Sequence, residues 1–139
     1  MFHWIEVRAF CHATEEEDRV VAAIRAVMPE VEPARETLEG HFGNPLVVLR
    51  ARADDAPTQR AVWARIVAAL GKEEILQGIE ERLDDDAIYH LRLDKQSAYL
   101  GRIETATTPD VLAFRAKLAA FPRNRENVVR TLMSASESS

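Results

Sequence analysis

Seven basic side chains, Arg8, Arg50, Arg52, His90, Arg92, Arg115 and Lys117, alternate with apolar residues along strand-like runs, and Trp4 and Phe10 stand among them. Residues two apart in an extended chain share a face, so assigning the apolar partners to a core puts the basic set and both rings on the opposite side. Guanidinium groups contact phosphate through paired donors, and rings stack on unpaired bases, a combination that suits RNA. A solvated sheet face accounts for the arginines equally well, and a covering loop or a contact between two copies would account for Trp4 and Phe10. Both readings stand.

Two further stretches are rich in glycine and polar groups. Leu38-Glu-Gly-His-Phe-Gly-Asn-Pro45 joins two strand-like runs. Gly40, Gly43 and Asn44 permit positive φ and close backbone approach, as a phosphate nest with His41 as donor would require. A hairpin turn explains the same residues, and the segment lacks the Lys-Ser/Thr ending and following helix of a P-loop. In Leu91-Arg-Leu-Asp-Lys-Gln-Ser-Ala-Tyr-Leu-Gly101, the residues Asp94, Lys95, Gln96 and Tyr99 are either ligand contacts or the stabilisers of a turn. His41 and Asp94 as an acid–base pair, with Lys95 stabilising an anion, would make a small hydrolase or nuclease if they converged in space. The four histidines lack partners at familiar metal-binding spacing, and no Gly-x-Ser-x-Gly turn supplies a nucleophile. The reading therefore assigns no catalytic residue, metal or cofactor.

The elements that must position these groups follow from periodicity. His3 to Cys11 alternates, with Ile5, Val7, Ala9 and Cys11 on the apolar side of a strand. Thr14 and Glu17 form a capping-box signature for a helix over about 15–28, ending before Pro29. Strands over roughly 34–42 and 46–53 make a hairpin around Gly43-Asn44-Pro45. Asp54 or Asp55 caps the next helix, whose stripe is Val62, Ile66, Ala69 and Leu70 with Trp63, and Gly71 ends it. Ile75, Ile79 and Leu83 define another helix. A strand at 87–93 follows, with Tyr89, Leu91 and Leu93 inward, then a turn near 94–99 and a strand at about 101–105. The run 111–121 places Leu112, Phe114, Ala116, Leu118 and Ala120 on one face, and a last helix covers about 123–133. This order predicts an α+β domain, with helices on one face of a mainly antiparallel sheet.

Composition bounds the rest. The chain has 139 residues, 47% hydrophobic and 29% charged, a globular balance. It fits one domain over 1–133, with the serine-rich 134–139 expected to be a disordered tail. No apolar run approaches the length of a membrane span and no signal core opens the chain, so no membrane association and a cytoplasmic location are expected. The single cysteine, Cys11, reads as a buried, unreactive thiol. A net charge of −5 argues against indiscriminate nucleic-acid binding, but it is uneven. Residues 1–89 carry 10 basic against 18 acidic groups and residues 90–139 carry 8 against 5.

The Leu38–Pro45 and Leu91–Gly101 stretches, with the opening His3-Trp-Ile-Glu-Val-Arg-Ala-Phe-Cys-His-Ala-Thr14, resemble an archaeal family of small proteins predicted to bind RNA and to be associated with the exosome. The resemblance covers nearly the whole chain except the serine-rich end. It implies a fold similar to the large-subunit ribosomal protein that binds 5S rRNA, RNA as a partner, and a noncatalytic accessory role in RNA processing. Two alternatives are kept: a protein-interaction or homodimer module using Trp4 and Phe10, and the small hydrolase using His41, Asp94 and Lys95.

Overall fold

Among the described residues five strands form one sheet in the order β2-β3-β1-β5-β4, with every neighbouring pair antiparallel. The strands are β1 (Phe2–Cys11), β2 (Ala34–Glu39), β3 (Pro45–Ala53), β4 (Ile88–Asp94) and β5 (Val111–Leu118). Among the described residues six helices accompany them: α1 (Glu17–Val27), α2 (Ala56–Leu70), α3 (Lys72–Leu76), α4 (Ile79–Arg82), α5 (Lys95–Tyr99) and α6 (Arg125–Glu137). The computed structural model describes residues 1–39 and 45–137. The α+β class predicted from the alternation is the class observed.

The apolar sides of the strands and the helices share one core. Ile5, Val7, Leu49, Leu91, Leu93, Phe114 and Leu118 are all buried in it, and Val47 packs against its margin half-buried. Burying each large aliphatic or aromatic side chain contributes about 1.5–3 kcal/mol. Trp63 of α2 stands at the centre, with its ring centroid 5.2 Å from Phe2, 5.8 Å from Tyr89 and 6.1 Å from Phe114. Tyr89 donates its hydroxyl to the Ile75 carbonyl at 2.6 Å, and burial pushes its pKa up to about 12. Buried Gln59 donates to the carbonyls of His3 and Ala53 at 3.1 and 3.2 Å, pinning α2 to β1 and β3. Cys11 is buried as expected, and burial, reinforced by the charges of Glu15 and Glu17, raises its thiol pKa.

Several elements depart from the expected pattern, each for a local reason. The Thr14–Glu17 capping box does not form: α1 starts after Glu16, which makes no side-chain cap. Residues 12–15 form a turn instead, with Glu15 N bonded to His12 O at 2.9 Å and the Glu15 carboxylate accepting from His12 N at 3.0 Å. In α2, Asp55 supplies the cap through Thr58 N, and Val67 rather than Ala69 completes the buried stripe. Gly71 ends that helix with φ +83°, as its position suggested. The expected third helix is divided into α3 and α4 because Gly78 turns left-handed, with φ +67°, a conformation glycine reaches without strain.

The expected strand at 101–105 is not one. Residues 95–99 form α5 instead of a turn, and the chain returns along β4 with one bridge, Leu93 to Thr105. Asp94 N bonds to Glu104 O and Ala106 N to Arg92 O, both at 2.8 Å, so this segment covers an otherwise open sheet edge. β5 ends at Leu118, short of Phe121. Residues 134–137, expected to be disordered, belong to α6: Ala135 and Ser136 are buried, and the Ser136 hydroxyl bonds to the Leu132 carbonyl at 2.8 Å. The serine-rich stretch reads as a tail, but α6 carries Ser136 against the core while Ser134 faces outward. Among the described residues no helix is long and apolar enough to cross a membrane.

Candidate nucleic-acid interface

The face of the sheet away from the core is organised in cross-strand rows. Register places Arg50, Arg8, Ala113 and Arg92 side by side across β3, β1, β5 and β4. The next row holds Arg52, Glu6, Arg115 and His90, and the one beyond it Trp4, Lys117 and Ile88. On the other flank Phe10 stands beside Val48 and Glu36. The fold therefore brings Trp4, Arg8, Phe10, Arg50, Arg52, His90, Arg92, Arg115 and Lys117 onto one surface.

Most of these groups are already engaged. Glu6, only 3% exposed, lies at the centre of the face beneath two arginines. Its Oε2 accepts from Arg115 Nη2 at 3.1 Å, and its Oε1 lies 3.1 Å from Arg50 Nε, close enough for an ion pair but not aligned as a hydrogen bond. A carboxylate this buried is stable only with such partners. Trp4 is held by the same group: the Arg52 and Arg115 guanidinium carbons lie 4.8 and 5.2 Å from its ring centroid. Arg52 also pairs with Asp54 at 2.8 Å. His90 Nε2 lies 2.8 Å from Asp84 Oδ2. Burial works against ionisation of Asp84, but hydrogen bonds from His90 and from the Ile88 and Asp86 amides outweigh it and lower the pKa. Lys117 donates to the Asp86 carbonyl at 2.6 Å.

Arg8 and Arg92 remain. Neither has a carboxylate partner among the described residues, and the Arg8 guanidinium carbon lies 5.7 Å from the Phe10 ring centroid. Phe10 itself is 41% exposed. Between the two arginines the row passes over Ala113, which has no long side chain to fill the gap.

The second polar stretch has a different role from either expected one. Asp94 does not pair with Lys95; it caps α5, accepting from Ser97 N and Ser97 Oγ, both at 2.9 Å. Lys95 turns inward and is 3% exposed. Its ammonium reaches both Glu15 oxygens at 3.2 Å, Asp110 Oδ1 at 2.8 Å and the Phe10 carbonyl at 3.0 Å. Hydrogen bonding from Lys95 is the main reason the Asp110 pKa lies below its usual value. His12, Glu15 and Asp110 bring ligand-type atoms within 4.8 Å of one another, and the Lys95 ammonium already sits on both carboxylates. Gln96 donates to Asp110 at 3.3 Å, and Tyr99 is exposed beneath the Arg19 guanidinium, 5.4 Å from its centroid. Gly40, His41, Gly43 and Asn44 lie outside the described residues, as do the phosphate nest and the acid–base pair built on them.

Sequence reasoning missed Glu6. Its signal was present, since a glutamate in mid-strand on a face otherwise basic needs cationic neighbours, but those neighbours are named only once β1 is aligned with β3 and β5.

An antiparallel sheet with one helix-covered face and one basic, ring-bearing face agrees with the family assignment: the chain belongs to the RNA-binding family, whose model, described as RNA binding, matches residues 4–118. It is 32% identical over 139 residues to the RNA-binding protein PAB1135 of Pyrococcus abyssi, an alignment covering 94% of this chain and 90% of the relative. Protein AF2318 from Archaeoglobus fulgidus, a structure of family DUF54, matches at a TM-score of 0.88 and 33% identity, over 97% of this chain and 99% of that one. The DUF54 protein Mth689 from Methanothermobacter thermautotrophicus matches at 0.84 and 33%, over 99% of each chain.

Proposed function

We propose that this chain is a noncatalytic RNA-binding protein and that the outer sheet face makes the contact. The observation that carries the reading is the cluster of Arg8, Arg50, Arg52, Arg92 and Arg115 on one surface of a chain whose family is described as RNA binding. An accessory role in archaeal RNA processing or at the exosome, a cytoplasmic setting and likeness to the 5S-rRNA-binding ribosomal protein belong to the same proposal, supported by the resemblance of the Leu38–Pro45 and Leu91–Gly101 stretches. The hydrolase reading gains nothing from the geometry, because Asp94 is a helix cap and Lys95 is buried among ion pairs.

The test replaces Arg8, Arg52 and Arg92 together by Gln, a choice that spares the partners of buried Glu6. RNA affinity at fixed salt should fall at least about ten-fold, and the slope of log affinity against log salt should flatten by about 2, at roughly 0.7 per phosphate on a single strand. Unchanged affinity and slope in a folded variant would remove the sheet face from the mechanism. The exposed side chains of Phe10 and Leu38 favour a second reading, a contact between two copies. Self-association that rises with protein concentration in sedimentation and is reversed by Phe10→Ser would support it.

A further inference from the structure

We infer that the outer face is built for a single unpaired RNA strand, laid along the Arg50–Arg8–Ala113–Arg92 row with one base stacked at the Phe10–Arg8 pair. The inference rests on the reading above and concerns which form of RNA the face accepts. The side chains of the face divide into a locked group and an open one, and His90 and Lys117 are tied to Asp84 and to the Asp86 carbonyl at its margin. Trp4, Glu6, Arg50, Arg52 and Arg115 hold one another through ion pairs and ring contacts. Trp4, with two guanidinium groups over its ring, is part of the platform rather than a free stacking surface.

The open group is Arg8, Phe10 and Arg92. Among the described residues Phe10 is the exposed ring on this face, and a ring can stack only on a base that is not already stacked and paired within a helix. Duplex RNA offers instead a wide minor groove and a phosphate contour, read by shape and without an aromatic platform. Adjacent strands lie about 4.8 Å apart, so the row from Arg50 to Arg92 spans three gaps, about 14 Å, or about four stacked nucleotides at about 3.4 Å each. Ala113 leaves the middle of that row shallow, which lets a sugar–phosphate backbone pass between the two unpaired guanidinium groups. Glu36, across Val48 from Phe10, places a carboxylate at the β2 side and biases the phosphates toward Arg8 and Arg92.

The test compares a fluorescein-labelled uridine 12-mer with a blunt RNA duplex of equal length, for wild type and for Phe10→Leu, which removes the ring and keeps an apolar side chain. Wild type should prefer the single strand, and the variant should lose about five-fold or more for the single strand alone, the equivalent of about 1 kcal/mol of stacking. Photo-crosslinking of wild type to a 5-iodouridine 12-mer should mark Phe10, a readout that needs no variant. Equal or tighter binding of the duplex, with Phe10→Leu without effect and the crosslink elsewhere, would overturn the inference while leaving RNA binding by the face in place. Failure of wild type to bind either RNA would overturn both.

Discussion

Glu6 decides how many of the arginines on the open face are free. Its buried carboxylate holds Arg50 and Arg115, so these side chains are placed before any ligand arrives. Glu6→Gln is predicted to leave two guanidinium groups close together without their counter-charge, and to destabilise the fold by about 1–3 kcal/mol, read from the shift in a urea transition. An unchanged midpoint would mean that the ion pairs hold nothing. At this scale the sequence was legible in one respect and silent in another. Alternation along each strand assigned Arg8, Arg50 and Arg115 to the outward side correctly, because side-chain direction is a local property of extended backbone. Which arginine faces which carboxylate depends on strand pairing across up to 109 positions in the chain, as in Arg115 to Glu6, and no local pattern encodes it.

Among the elements, α5 owes its position to Lys95, which ties it to Glu15 in the turn before α1, to Asp110 before β5 and to the end of β1. Lys95→Met is predicted to leave Glu15 and Asp110 repelling each other and the Phe10 carbonyl unpaired, costing about 2–4 kcal/mol at neutral pH. Because the Asp110 carboxyl is held below its usual 3.8, its contribution is complete above that value and is lost as pH falls through the lower folded pKa. The gap between wild type and Lys95→Met should therefore narrow below about pH 4, measured as urea midpoints at neutral and acid pH. A gap that stays constant with pH would contradict the role given to Asp110. Gly71 gives a second prediction. At φ +83° and ψ 156° it occupies a region almost closed to other residues, so Gly71→Ala should cost about 1–3 kcal/mol by thermal or urea unfolding, although nothing crowds the position. Its role as a helix stop was readable from sequence, as was a cap at Asp54 or Asp55, which the structure assigns to Asp55. The 95–99 helix was not, because five residues are too few for a periodic signal and it exists through the Asp94 cap and the Lys95 anchor.

For the molecule as a whole, the fold class was readable because one-sided apolar alternation in three strands requires a sheet covered on one side. The strand order was not readable, since β1, first in the chain, lies in the middle with β3 and β5 on either side. That central placement sets a timetable. Synthesis proceeds at about 5–20 residues per second, so after β3 is complete at Ala53 the ribosome needs about 3–13 s more to reach Leu118 and finish β5. Through that interval one edge of β1 waits unpaired, and the row that joins Arg8 to Arg92 does not exist. By the time residue 89 has been added, the part made carries an excess of eight acidic charges, whereas residues 90–139 carry an excess of three basic ones. A half-made chain is thus electrostatically unfriendly to RNA, including the messenger and ribosome beside which it emerges, and it acquires its basic face only when the last strand docks.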